Sequence, residues 1–216
     1  VPAANTRTRR AGLTRERILR AALALVEREG AEALTMRRLG DELGVEAMSL
    51  YNHVPNREAV LDGLGELLMA RIEIPEPGSD WTDACRAFAG QLRTLTLHHP
   101  QAFRLIGLRP LASPAALRPV ERLLQCLVSA GSTPAAALGV YRSVASYARG
   151  YALAEVTGFT VDASTAAARR PLRALAAEEF PVLRRSVKEL SALTPDQAFA
   201  SGLEALLAGT RATFPG

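Results

Sequence analysis

The arrangements that would make this chain a catalyst do not occur in its 216 residues: there is no Ser/His/Asp set, HExxH run, P-loop or dinucleotide glycine fingerprint. Cys85 and Cys126 have neither CxxC nor metal-ligand spacing, which reads as two small buried hydrophobes rather than a zinc or thioredoxin-like centre. A redox-sensing role would need an exposed, electropositive thiol, and the sequence gives no sign of one. His98 and His99 close a helix before Pro100, where imidazoles serve as partners of the helix dipole. The chemistry left is non-covalent. With Leu50 and Val54 turned inward, Met48, Ser49, Tyr51, Asn52 and His53 face outward or sideways, all but Met48 carrying hydrogen-bonding groups. Arg7, Arg9, Arg10, Arg15, Arg17 and Arg20 face only Glu16 across the first twenty residues, forming either a concentrated basic arm or a solvated tail.

Bulk composition narrows the class without naming it. The net charge of +4 and a pI near 9.6 suit a polyanionic partner, but Lys188 is the lone lysine among 26 basic residues. Such a bias can be genomic, so the placement of charge carries more weight than its total. With 48% hydrophobic residues the chain is globular, and no stretch is long and uncharged enough to span a bilayer. Residues 1 to 12 carry three arginines with no following apolar run, so a secretory signal is not expected and a cytoplasmic location is.

The elements that must position the polar set read as all-α. Alternating β-branched runs are absent, and the prolines fall mostly between Ala/Leu-rich stretches of helical period. The first helix starts at the Thr14 cap and stops at Gly30, with Ile18, Ala22, Leu25 and Val26 as its apolar stripe. A short helix follows the Thr35 cap, carrying Met36, Leu39 and Leu43 and ending at Gly44. Leu50 and Val54 mark another, and two short helices joined by a Gly-containing turn form a helix-turn-helix pattern. Asn56 caps a connecting helix that reaches Ile72. Beyond a linker at Pro75 to Asp80, helices are expected at Trp81 to His98, Pro114 to Ala130, Pro134 to Thr157, Leu172 to Leu190 and Pro195 to Phe214. A short helical turn fits Gln101 to Ile106, and Gly158 to Arg170 lacks a periodic apolar face and reads as a loop. The division is a basic arm at 1–13, a helix-turn-helix domain at 14–72 including the connecting helix 56–72, and a larger helical domain at 78–216.

The stretch ALTMRRLGDELGVEAMSLYNHVPNREAVLDGLGELL, Ala33 to Leu68, resembles the DNA-binding domain of the tetracycline-repressor (TetR) family. LTMRRLGDELGV corresponds to the first helix and turn of that domain, SLYNHV to its recognition helix, and NREAVLDGL to the start of its connecting helix. More loosely, DQAFASGLEALLAGTRATF looks like the last, dimer-forming helix of the tetracycline-responsive subgroup. The resemblance implies a homodimeric, ligand-responsive regulator, a repressor by family habit, on double-stranded operator DNA. It places Ser49, Tyr51 and His53 against phosphates and Arg37 at a base edge, where arginine can pair with guanine. The alternative for Arg37 is an i,i+4 salt bridge to Asp41. Arg57 falls at a phosphate-clamping position, and Thr35 and Asn56 combine capping with phosphate contact.

Departures from the subgroup are informative. Ala47 stands where a glutamine reads bases and Met48 where there is a proline, so the operator differs; Met48 can touch a thymine methyl or pack. Leu105 or Ile106 replaces the magnesium-anchoring histidine, and Ile72 or Glu73 replaces the histidine at the top of the connecting helix. A tetracycline–magnesium ligand is therefore not expected, nor is any metal or cofactor. A pocket lined by Phe88, Leu92, Phe103, Tyr147, Tyr151 and Glu155 would take an apolar or aromatic molecule, although aromatics at helical spacing also suit an ordinary core. Helices near 134–157 and 195–214 would form a four-helix dimer interface, with Gly202, Ala205 and Ala208 allowing close approach. Two other readings are an enzyme or carrier with a vestigial helix-turn-helix, and a nonspecific nucleoid-type binder; competition by random duplex separates the DNA-binding cases.

Overall fold

Side-chain caps set the starts of the N-terminal helices. In a computed structural model, which describes residues 12–78, 80–107, 109–157, 166–190 and 193–211, helix α1 (Arg15–Glu29) starts after Thr14, whose hydroxyl accepts the Arg17 N–H. Gly30 ends it at φ 87°. A 3-10 turn at Ala31–Ala33 leads to α2 (Met36–Leu43), capped by the Thr35 hydroxyl on the Arg38 N–H at 3.1 Å. Gly44 closes α2 in the left-handed region at φ 68°, a conformation glycine adopts without steric cost. Then come α3 (Ala47–Leu50) and α4 (Arg57–Met69), the latter started by the Asn56 side chain accepting from the Ala59 N–H at 2.8 Å. The apolar stripe of α1 is buried as its period requires, with Ile18, Ala22, Leu25 and Val26 all fully enclosed.

The remaining helices are α5 (Trp81–His98), α6 (Pro100–Ile106), α7 (Pro114–Ser129), α8 (Pro134–Thr157), α9 (Ala166–Arg173), α10 (Pro181–Leu190) and α11 (Pro195–Arg211). Helices α5, α7 and α8 pack on one another around Phe88, Leu92, Leu123, Leu127 and Val144, and α11 lies on α8. Ion pairs also join α11 to α5: Arg86 binds Glu204 at 2.7 Å and Arg93 binds Asp196 at 2.7 Å.

Two expectations about elements are corrected. The single helix expected from Leu172 to Leu190 is interrupted between Arg173 and Pro181. Proline has no N–H to give and its ring clashes with the carbonyl four residues back, so Pro181 opens a new helix instead of continuing the old one. The expected loop Gly158 to Arg170 is helical from Ala166, and its residues 158–165 lie outside the described residues, as does the expected end of the last helix beyond Arg211. The connecting helix stops at Met69, one turn short of Ile72.

The chain divides into two compact units. One comprises residues 1–67 with 101–110, the other 68–100 with 111–216. Helix α6 thus falls with the N-terminal helices, an assignment the linear order of the sequence does not suggest. Among the described residues no helix is long and apolar enough to cross a membrane.

Candidate nucleic-acid interface and effector region

Placement of the polar set begins at the turn between α2 and α3. A Cβ added at Gly40 would stand 2.9 Å from the Val45 carbonyl oxygen, so the close return of the chain after Gly44 depends on a residue without a side chain at position 40. The Val45 N–H then closes the turn on the Gly40 carbonyl at 3.0 Å. Leu39, Leu50 and Val54 are buried and fix the inner faces. What they leave outside is Met48 at 76% exposure and Tyr51 at 44%, with Asn52 and His53 exposed and Ser49 and Ala47 half-buried.

The neighbouring arginines of α2 differ in their ties. Arg38 binds Glu29 at 2.6 Å, and Arg28 bridges Glu29 and Glu42 at 2.8 Å each, pinning the end of α1 to α2. Hydrogen bonds from Arg38 hold the Glu29 carboxyl below its usual range, and those from Arg28 do the same for Glu42. Arg37 is exposed and, among the described residues, pairs with neither Asp41 nor any other carboxylate. Thr35 and Asn56 have their caps. Arg57 is tied differently from the outward clamp expected: its Nε donates to the Leu34 carbonyl at 2.8 Å, fastening the entry of α2 to the start of α4, and Nη1 lies 3.6 Å from Glu58.

The expected effector residues separate into three places. Phe88 and Leu92 on α5 are buried in the C-terminal unit, Phe88 edge-on to Tyr141 at 5.7 Å. Phe103 is buried in α6, within the N-terminal unit. Tyr147, Tyr151 and Glu155 lie along α8 and engage α11 and α5: the Tyr147 hydroxyl donates to the Phe199 carbonyl at 2.7 Å, and both tyrosine rings touch the Phe199 ring at 5.3 Å. Arg93 binds Glu155 through two nitrogens, at 2.7 and 2.8 Å, and sits 4.8 Å over the Phe199 ring. Burial pushes the Tyr147 phenol up to about 12, so it stays a donor at neutral pH.

Gly202, expected at an interface between copies, has a role inside the chain, because a Cβ there would collide with the Tyr147 hydroxyl. Phe199 and Arg93 were not singled out by sequence; the i,i+4 spacing of Tyr147 and Tyr151 was the signal that could have suggested an aromatic partner on α11. Beside this contact α8 and α11 border an open groove of about 580 Å³, lined by Ala136, Gly139, Val140, Ser143, Ala205, Leu206, Gly209 and Thr210. Both thiols are enclosed. Burial pushes Cys85 up to about 12 and raises Cys126, whose Sγ reaches the Pro75 carbonyl at 3.5 Å.

Residues 18–64 match the family described as bacterial regulatory proteins, tetR family, and residues 74–214 match the tetracyclin repressor-like C-terminal domain. An HTH-type transcriptional regulator of Saccharopolyspora erythraea is 38% identical over 144 residues, 66% of this chain and 61% of the relative, so the match spans under two thirds of that protein. The HTH-type transcriptional repressor DrrR1 of Streptomyces coeruleorubidus is 30% identical over 210 residues, 91% of this chain and 77% of the relative. The crystal structure of the Streptomyces coelicolor protein ActR in complex with actinorhodin superposes with a TM-score of 0.80 at 30% identity, covering 94% of this chain and 99% of that one.

Proposed function

The chain belongs to the TetR family of bacterial transcriptional regulators, and from that premise we propose that two copies of it hold one pseudo-palindromic operator and release it when a small apolar or aromatic molecule occupies the C-terminal unit. The observation that carries the DNA half is an exposed Arg37 without a carboxylate partner among the described residues and an outward Tyr51, on a unit whose other arginines near α2 have partners. In this reading Arg37 reads a base edge, Ser49, Tyr51 and His53 bind phosphates, Ala47 and Met48 face the groove, and the capped helix starts at Thr35 and Asn56 lie against the backbone. Arg57 positions α2 through Leu34 and offers phosphate only its outer nitrogens. The task is regulation of transcription and not catalysis, carried out where bacterial DNA is, in the cytoplasm.

The groove between α8 and α11 supports dimerisation there. Its small side chains let a second pair of helices approach closely, and the two recognition helices must then be held roughly 34 to 36 Å apart. For the effector, the complex of ActR with actinorhodin supports a small-molecule ligand, and Phe88, Leu92 and Tyr151 as lining residues suit an apolar or aromatic one. Tyr147 and Glu155 contribute to the pocket indirectly, by fixing α8 to its neighbours, and Phe103, which is buried in the N-terminal unit, is left out of this reading. Leu105, Ile106, Ile72 and Glu73 offer no imidazole for a tetracycline-bound magnesium ion. Typical couplings of about 1 to 3 kcal/mol correspond to roughly 5- to 150-fold weaker operator binding when the effector is present.

Selection from random duplexes with the purified full chain tests the reading. A pseudo-palindromic site should emerge and outcompete random duplex by about 10³-fold or more. Equal affinity for random duplex would instead support the nonspecific binder, and no binding at all would leave the vestigial reading.

A further inference from the structure

Arg93, two thirds of the way along α5, binds both helices of the proposed dimer face, and all three helices belong to the C-terminal unit. Towards α8, its Nε and Nη2 fork onto the two Glu155 oxygens at 2.7 and 2.8 Å. Towards α11, its Nη1 meets Asp196 at 2.7 Å and its guanidinium covers the Phe199 ring at 4.8 Å. Exposure decides which of these contacts holds. Arg93 is 11% exposed and Glu155 21%, so their two-pronged, charge-assisted pair is largely shielded from salt. Asp196 is 86% exposed, and a carboxylate so open to water holds α11 only weakly. The α11 arm therefore rests on Phe199, whose ring is stacked on Tyr147 and edge-on to Tyr151, and whose carbonyl accepts from the Tyr147 hydroxyl.

This contact stops one helical turn short of the groove: from Tyr147 to Ser143 is about 6 Å along α8. Gly202, against the Tyr147 hydroxyl, likewise stands just before Ala205 on α11. Beyond that point most facing side chains are small, as at Ala136, Gly139, Ala205 and Gly209, and do not themselves hold α8 and α11 at a fixed spacing. Arg86 and Glu204 tie α11 to α5 through exposed groups and leave α8 out. We propose that Arg93 is a positioning residue for dimerisation: by holding Glu155 and Phe199 together, it sets the α8–α11 spacing that a second copy must meet. The inference rests on the dimer reading above and goes beyond it, placing the residue on which the interface depends on α5 and not on either pairing helix.

Sedimentation equilibrium of the full chain reads the dimer affinity, and hydrogen exchange reads the hold on α11. Arg93→Lys keeps the charge but has neither a planar fork for Glu155 nor a flat face for Phe199. It should weaken dimerisation by about tenfold while helix content, followed by far-UV circular dichroism, stays unchanged. Arg93→Gln combined with Glu155→Gln, which leaves no enclosed carboxylate unpaired, should do the same. Asp196→Asn should stay within about twofold of the wild type. Unchanged dimer affinity in both Arg93 variants overturns the proposal; so does a loss in Asp196→Asn as large as that in Arg93→Lys, which would assign the effect to surface charge. In samples diluted below the dimer dissociation constant, α11 amides around Gly202 should exchange about tenfold faster in Arg93→Lys. Equal exchange rates there remove the role of Arg93 alone, whereas a wild-type chain that stays monomeric at micromolar concentration removes the dimer reading and this role with it.

Discussion

At the residue scale, the contrast between Arg37 and Arg38 supports the proposed reading role of Arg37 beside the fastening one of Arg38. Arg38 is engaged by Glu29, while Arg37 has no carboxylate among the described residues to release on meeting DNA. Arg37→Ala should therefore leave thermal stability unchanged and cost about 1 to 3 kcal/mol of discrimination at one base pair per half-site, seen as relaxed preference there in a repeated duplex selection. Unchanged preference would remove the base-reading assignment. The caps at Thr14, Thr35 and Asn56 were legible in the sequence because a cap is a local event, complete within three residues. The bond of Arg57 to Leu34 was not, since it joins residues 23 positions apart and only the packed turn brings them together.

Elements show where periodicity suffices and where it fails. The stripe on α1 located that helix to within a residue or two, as amphipathic order is carried by neighbouring turns. The break before Pro181 was signalled by the proline, yet the apolar pattern runs through it and argued for one helix. Partners of α8 were the least legible: Tyr147 and Glu155 suit a pocket by type, and only the antiparallel lie of α11 shows that they meet Phe199 and, through Arg93, α5. Gly202→Ala should push against Tyr147 and destabilise the C-terminal unit by about 1 to 3 kcal/mol. Adding Tyr147→Phe, which removes the obstructing hydroxyl, should recover part of the loss in a chemical denaturation series; full additivity of the two changes would count against the contact.

The link between α1 and α2 makes its own prediction. The folded-state values of Glu29 and Glu42 lie below the unfolded carboxylate range, so their contribution to stability is present at neutral pH and is lost as the pH falls through those lowered values. These groups are on the surface, so the effect is modest and should shrink further in high salt. Melting temperatures measured from neutral pH down to about pH 3 should fall less steeply for Arg38→Gln than for the wild type. Parallel curves would mean that the Glu29 contact adds nothing.

For the whole molecule, the sequence revealed the all-helical class and the order of its two parts, but not the grouping of α6 with the N-terminal helices. That grouping arises from contacts of Glu27 with residues more than seventy positions away and of Arg109 with α4, which no local pattern encodes. In the proposed function, pairing of two chains along α8 and α11 would convert one exposed helix into a reader of a symmetric site. The most direct measurement of that claim is binding of the full chain to its selected operator before and after five base pairs are inserted between the half-sites. Half a helical turn places the second half-site on the opposite side of the duplex, so affinity should drop to about that for random DNA, roughly 10³-fold or more weaker. Undiminished binding to the expanded site would contradict a dimer that holds its two reading helices at a fixed separation.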